Sequence, residues 1–187
     1  MDQEVITFLF NLATSISASF IYDISKKVVK LLPHQESNLT KWKEFWNPSP
    51  EDLELIKNDK DIQRIVSILF EKAENEIFEE KLANWGKITD NVVRNKKTDN
   101  SHDLYFIKLF SDMPLSVLYY LLNLYKKGEA EVINGYPVND SEKQEEYFCS
   151  NYCVCLSLTE CYSGKFKLTD LGKSFIDFIG DKYQSIN

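Results

Sequence analysis

Val5, Phe8, Leu9, Leu12, Ile16, Phe20 and Ile24 recur at spacings of three and four, and Val28 and Leu31 extend the stripe. That is the period of one face of an α-helix. It predicts one helix from about Gln3 to Leu32, stopped by Pro33. The opposite face carries Thr7, Asn11, Thr14, Ser15, Ala18, Tyr22 and Ser25, which are small and uncharged, as suits a contact surface better than a solvated one. Residues 34–50 read as a connector with Trp42, Phe45 and Trp46 as packing anchors. Ser49 then has the character of an N-cap, with Pro50 at the first helical position and Asp52 at the capping-box position of a short helix to about Asn58. A longer helix is expected from near Asp59, carrying Ile62, Val66, Leu69, Phe70, Ala73, Ile77, Leu82 and Trp85. Gly86 costs this helix about 1 kcal/mol relative to Ala, so it marks a close packing point or a bend.

The polar run Asn95 to Ser101 separates two parts, 1–98 and 99–187. Ser101 is a cap for a helix carrying Leu104, Phe106, Ile107 and Phe110, which Asp112-Met113-Pro114 breaks. A second helix runs from Pro114 to Lys127 with Leu115, Leu118, Tyr119, Leu121, Leu122 and Tyr125 apolar, and Gly128 ends it. A loop to about Asp140 precedes a third helix carrying Tyr147, Phe148, Tyr152 and Val154. Leu156 to Thr159, Cys161 and Tyr162 read as extended, Ser163-Gly164 as a two-residue turn, and Lys165 to Leu168 as an alternating strand. Thr169 caps a last helix through Leu171, Phe175, Ile176, Phe178 and Ile179. The expected fold is mainly α: an N-terminal helical bundle and a C-terminal α+β domain with a two-stranded β-hairpin.

Composition agrees with a helix-rich globular chain. Of 187 residues 43% are hydrophobic, while Gly (6) and Pro (5) are too scarce for disorder or a turn-dense β-sandwich. The net charge of −7 argues against a surface that grips phosphate everywhere. Charge is uneven: residues 51–80 hold ten acids against four bases, and 81–97 hold five bases against one acid. Residues 5–22 carry no charge, which makes a membrane span or anchor an alternative for the first helix. Thr, Asn and Ser at six of those positions favour a core helix or an oligomer seam instead. No cleavable signal peptide is recognisable, so a cytoplasmic location is expected.

The order helix, helix, helix, hairpin, closing helix is that of a winged-helix domain. The segment Lys165-Phe166-Lys167-Leu168-Thr169-Asp170-Leu171-Gly172-Lys173-Ser174-Phe175 resembles the second wing strand and following helix of many bacterial winged-helix proteins. In that comparison Gly172 leaves room for the wing strand to approach the helix. More faintly, the whole chain resembles the Abi-alpha-like group of small bacterial proteins linked to phage defence. The first helix, the Leu82-Ala83-Asn84-Trp85 region and the Leu109-Phe110-Ser111-Asp112-Met113-Pro114-Leu115 run carry that likeness. It implies no catalytic residues, and it suggests a role in a phage-defence or toxin–antitoxin-like system.

A DNA-reading winged helix puts its third helix in the major groove and its wing on phosphate. Here the helix and the stretch after it are acidic, with Glu142, Glu145, Glu146 and Glu160 against Lys143 between Ser141 and Cys161, and Arg64 and Arg94 are the only arginines. A protein partner or a homo-oligomer is therefore the first expectation, through Asn11, Thr14, Ser15 and Ala18 or through Glu142, Glu145 and Glu146. The alternative is a DNA-binding regulator using Arg94, Lys96, Lys97, Lys165 and Lys167. The second alternative is a membrane-associated effector using residues 5–22.

Catalytic raw material is thin. Cys149, Cys153, Cys155 and Cys161 lack the paired knuckles of a structural zinc site and read as core-packing residues, with Cys149 and Cys153 on one helical face. His34 and His102 have no motif partner, and no phosphate-binding loop, nucleophile elbow or H-E-x-x-H occurs. No enzyme activity, cofactor, metal or small-molecule substrate is expected.

Overall fold

A computed structural model of the chain describes residues 3–17, 20–21, 33–94, 100–133, 136–137 and 139–180. The chain is mainly α-helical with a small antiparallel sheet near the C-terminus. Two compact units are present, Met1–Ile107 and Lys108–Asn187, so the division falls within a helix beyond the polar run at 95–101.

The N-terminal unit is built from α1 (Gln3–Ile16), α2 (Pro33–Phe45), α3 (Pro50–Asn58), α4 (Lys60–Glu74) and α5 (Glu79–Arg94). The expected single first helix ends at Ile16. Beyond it the Ser17 hydroxyl accepts from the Phe20 N–H (3.1 Å) and the Ser17 carbonyl from the Ile21 N–H (3.0 Å). Pro33 starts a helix, because an N1 proline has no hydrogen bond to lose, and the expected helical stretch over residues 22–32 before it lies outside the described residues. The stretch read as a connector is therefore helical, and Leu39, Trp42 and Trp46 lie on its buried side, whereas Phe45 is 47% exposed.

The capping box at Ser49 forms as expected. The Asp52 N–H donates to Ser49 Oγ at 3.1 Å, and the Ser49 N–H donates to Asp52 Oδ2 at 2.8 Å. The expected long helix from Asp59 is two helices. Asn75 caps the first, and Glu76 Oε1 accepts from the Ile77 and Phe78 N–H groups at 3.0 Å each, leaving Ile77 on the surface. Helix α5 runs unbroken through Gly86, which is a close packing point: a Cβ there would lie 2.5 Å from Phe45 Cβ.

The core of this unit is aromatic. Trp42 packs edge-on to Phe8 (5.8 Å) and Phe70 (5.8 Å) and lies 5.1 Å from Trp46. Its indole N–H donates to Thr89 Oγ1 at 3.3 Å, and that hydroxyl donates to the Trp85 carbonyl at 2.7 Å. No helix among the described residues is long and apolar enough to cross a membrane. At about 1.5 Å per residue, α1 reaches about 21 Å, short of the ~30 Å hydrocarbon thickness.

The C-terminal unit comprises the end of α6 (Asn100–Asp112), α7 (Leu115–Lys127), β1 (Ala130–Glu131), α8 (Ser141–Cys155), β2 (Thr159–Tyr162), β3 (Lys165–Leu168) and α9 (Asp170–Ile179). Gly128 ends α7 at φ 83°, and Asp140 caps α8 by accepting from the Lys143 N–H. The hairpin β2–β3 turns on Ser163 (φ 52°) and Gly164 (φ 76°), the doubly left-handed geometry of a two-residue turn. Leu156 and Ser157 are not extended as expected. They close α8, with Ser157 left-handed at φ 58° and the Leu158 N–H donating to the Cys153 carbonyl.

The sheet has a third strand, because β1 pairs with β3 to give the order β1-β3-β2. On β3, Phe166 and Leu168 point into the core while Lys167 faces out. The sheet and α8 pack around α7, over a core of Val117, Leu118, Leu121, Cys153, Leu158 and Phe175. Thr169 caps α9, with its hydroxyl accepting from the Gly172 N–H (3.0 Å) and donating to the Ser157 carbonyl (2.7 Å). Gly172 lets the turn that precedes β2 approach: a Cβ there would be 2.1 Å from the Leu158 oxygen.

Candidate functional site

A concavity of about 630 Å³ lies between α7 and α8 in the C-terminal unit. Helix α7 lines it with Ser116, Tyr119, Tyr120 and Asn123, residues at the three- and four-residue spacing of one helical face. Helix α8 answers with Glu142, Glu145, Glu146 and Cys149. The acidic cap of α8 is locally favourable, since Asp140 and Glu142 sit at the positive end of the helix dipole. Asp140 is held below the usual carboxylate range, mainly by the Lys143 N–H and further by the Lys143 ammonium. Glu145 and Glu146 lie beyond this first turn, so the dipole does less to explain them.

Glu142, Glu145 and Glu146 are exposed and have no ion-pair partner among the described residues. The floor of the cleft is different. Cys149 is buried, and desolvation pushes its thiol upward in pKa, against a hydrogen bond from Ser116. Tyr120 is raised chiefly by desolvation and then by Cys153 and Glu146; its hydroxyl is buried and has no partner among the described residues. Lys127, at the end of α7, is the one cation on the lining of this cleft.

The lysines of the β2–β3 hairpin present the opposite case. Lys165 pairs with Glu129 and, at 3.8 Å, with Glu131; Lys167 lies 3.7 Å from Glu129. Glu129 is held below the usual range, first by its hydrogen bond from Lys165. Lys165 is correspondingly raised by Glu129. Strand β1 creates this arrangement by setting Glu131 opposite Lys165 in the sheet. In the N-terminal unit Arg94 pairs with Asp90 at 2.9 Å. Lys96 and Lys97 lie outside the described residues, as does Ala18.

The uncharged face of α1 divides. Asn11 and Thr14 are exposed, and Asn11 borders a groove of about 350 Å³ with Thr7 and Lys43. Ser15 is buried, contrary to its expected place on a contact surface, and donates to the Asn11 carbonyl at 3.0 Å. Thr14 donates to the same carbonyl at 2.8 Å, so both hydroxyls are satisfied within their own helix.

The cysteines divide as well. Cys149 and Cys153 are core residues on one face of α8, but Cys155 and Cys161 are exposed, against the expectation that all four pack inside. No group of three or more metal-ligating side chains converges among the described residues. The sequence reading missed the part Tyr119 and Tyr120 play, because it assigned Tyr119 to the apolar stripe of α7. Ser116, Asn123 and Lys127 at matching spacing were the available signal of a polar cleft face. No protein family, curated protein or solved structure matches the chain.

Proposed function

We propose that this is a non-enzymatic, cytoplasmic interaction or regulatory protein whose C-terminal unit, a winged-helix-like module, docks a protein rather than DNA. One observation carries the reading. The carboxylates of α8 are without ion-pair partners among the described residues, while both wing lysines are occupied by Glu129. A helix that entered a major groove would bring Glu142, Glu145 and Glu146 against phosphate, and each lost cation contact lowers affinity and salt dependence.

Fluorescence anisotropy with a random-sequence DNA duplex, at low and at near-physiological salt, tests this directly. No binding at either salt concentration is the expected result. Binding that weakens steeply with salt would overturn the reading, because it requires cations that the wing does not offer in its paired state.

A further inference from the structure

We infer that the α7–α8 cleft takes a basic segment of a protein partner, with a Lys or Arg side chain inserted between Tyr119 and the glutamates of α8. This rests on the docking role proposed above and names the chemistry of its partner. The rim carries three carboxylates against Lys127, so its local charge favours a cation. The walls suit the rest of a long basic side chain: the Tyr119 ring is 39% exposed, and the aliphatic stem can lie on it while the head group reaches Glu142 or Glu146.

The adjoining stripe of α8 adds an apolar element. Glu145, Phe148 and Tyr152 follow one another at spacings of three and four, and Phe148 is 50% exposed with its ring 5.8 Å from that of Tyr152. A solvated helix face carries charge at such positions, so a cover that is apolar next to its basic residue fits both stripes. Nucleic acid satisfies neither demand, because its phosphates repel the rim and the exposed aromatic stripe carries no cation. The occupant is therefore a peptide segment that alternates basic and apolar residues.

The test is an NMR titration of the full chain with a short synthetic peptide of alternating arginine and leucine. The matching glutamate–leucine peptide and a random-sequence duplex serve as parallel probes. The basic peptide is expected to shift amides of α7 and α8 around Tyr119 and Glu146. Its affinity should fall as salt rises from about 10 mM to about 150 mM, as the Debye length shrinks from about 30 to about 8 Å. The combined variant Glu142→Gln, Glu145→Gln, Glu146→Gln should bind it about tenfold more weakly, while Glu160→Gln on β2 should not change it. These glutamates are exposed, so the folded spectrum of each variant provides its own control.

Failure of the basic peptide to bind, or binding that the three substitutions leave intact, overturns the inference. If the acidic peptide then shifts α8, the docking reading survives with a different partner chemistry. If only the duplex binds, both fall.

Discussion

Substituting Gly172 by Ala separates two physical accounts of α9. Intrinsic helix propensity favours Ala over Gly by about 1 kcal/mol, so a helix governed by propensity would become more stable. The packing predicts the reverse. The new Cβ would stand 2.1 Å from the Leu158 oxygen and 3.1 Å from Leu168 Cδ2, so backbone must give way by more than an ångström. The Leu158 carbonyl also accepts from the Thr169 N–H at 3.0 Å, a bond worth about 1 kcal/mol. The Thr169 cap on Gly172, worth about 1 kcal/mol, sits at the same point. Displacing α9 further disturbs Phe175, Ile176 and Ile179, all fully buried, at a cost of about 1–3 kcal/mol. Allowing for the propensity gain, Gly172→Ala should destabilise the C-terminal unit by about 2–4 kcal/mol. Since about 1.4 kcal/mol is tenfold, the slowest-exchanging amides of β2, β3 and α9 should exchange roughly a hundredfold faster in a hydrogen-exchange experiment. Gly128→Ala is the comparison: nothing lies within 4 Å of its Cβ, and only the left-handed backbone (φ 83°) charges about 1 kcal/mol. Unchanged or slower exchange in Gly172→Ala would refute the close approach of Leu158.

Gly86→Ala should lower stability by about 2 kcal/mol through the clash with Phe45, read as an earlier denaturant midpoint in tryptophan fluorescence, since all three tryptophans belong to the N-terminal unit. Thiol labelling at neutral pH should modify Cys155 and Cys161 promptly and Cys149 and Cys153 only on unfolding; four equally fast thiols would contradict the burial of the α8 face. Burial holds the Cys153 thiol up from 9.0 to about 12, so the folded state disfavours its ionisation. Its contribution to stability is whole below the usual thiol range and is lost as pH rises from about 9 towards about 12, which alkaline denaturation of Cys153→Ala against the parent would detect. Glu129 has a lowered carboxyl pKa, so its pairing with Lys165 and Lys167 is present above the ordinary carboxylate range and fails only as pH falls through the lowered value; an NMR titration midpoint at or above the ordinary Glu value would contradict that pairing.

Where the chain punctuates itself locally, the fold was legible. Gly128, Ser163-Gly164 and Thr169 each impose one backbone outcome, and α7, the hairpin and α9 begin or end where those residues put them. The misread stretches are those where one residue type serves opposite purposes. Pro33 suits a helix stop and an N1 position equally, and only the Leu39, Trp42, Trp46 spacing within the charged run favoured the second. Likewise, the interval of five between Ile77 and Leu82 steps out of helical phase, and it marked the break that Glu76 caps.

The site follows the same division, and it shows why net charge alone decided so little. Glu142, Glu145 and Glu146 are visible in any reading of the sequence, because a helix presents its surface charges in order. Strand β1 is two residues long and exists only through pairing with a partner thirty-odd positions away, so no local pattern announces it. Yet β1 determines the charge that the hairpin presents, since Glu129 and Glu131 reach Lys165 and Lys167 only across that pairing. Composition makes strand β3 mildly basic; topology neutralises it. The carboxylates of α8 receive no such partner among the described residues, and that asymmetry, rather than the total of −7, gives the C-terminal unit an acidic face available for a cation.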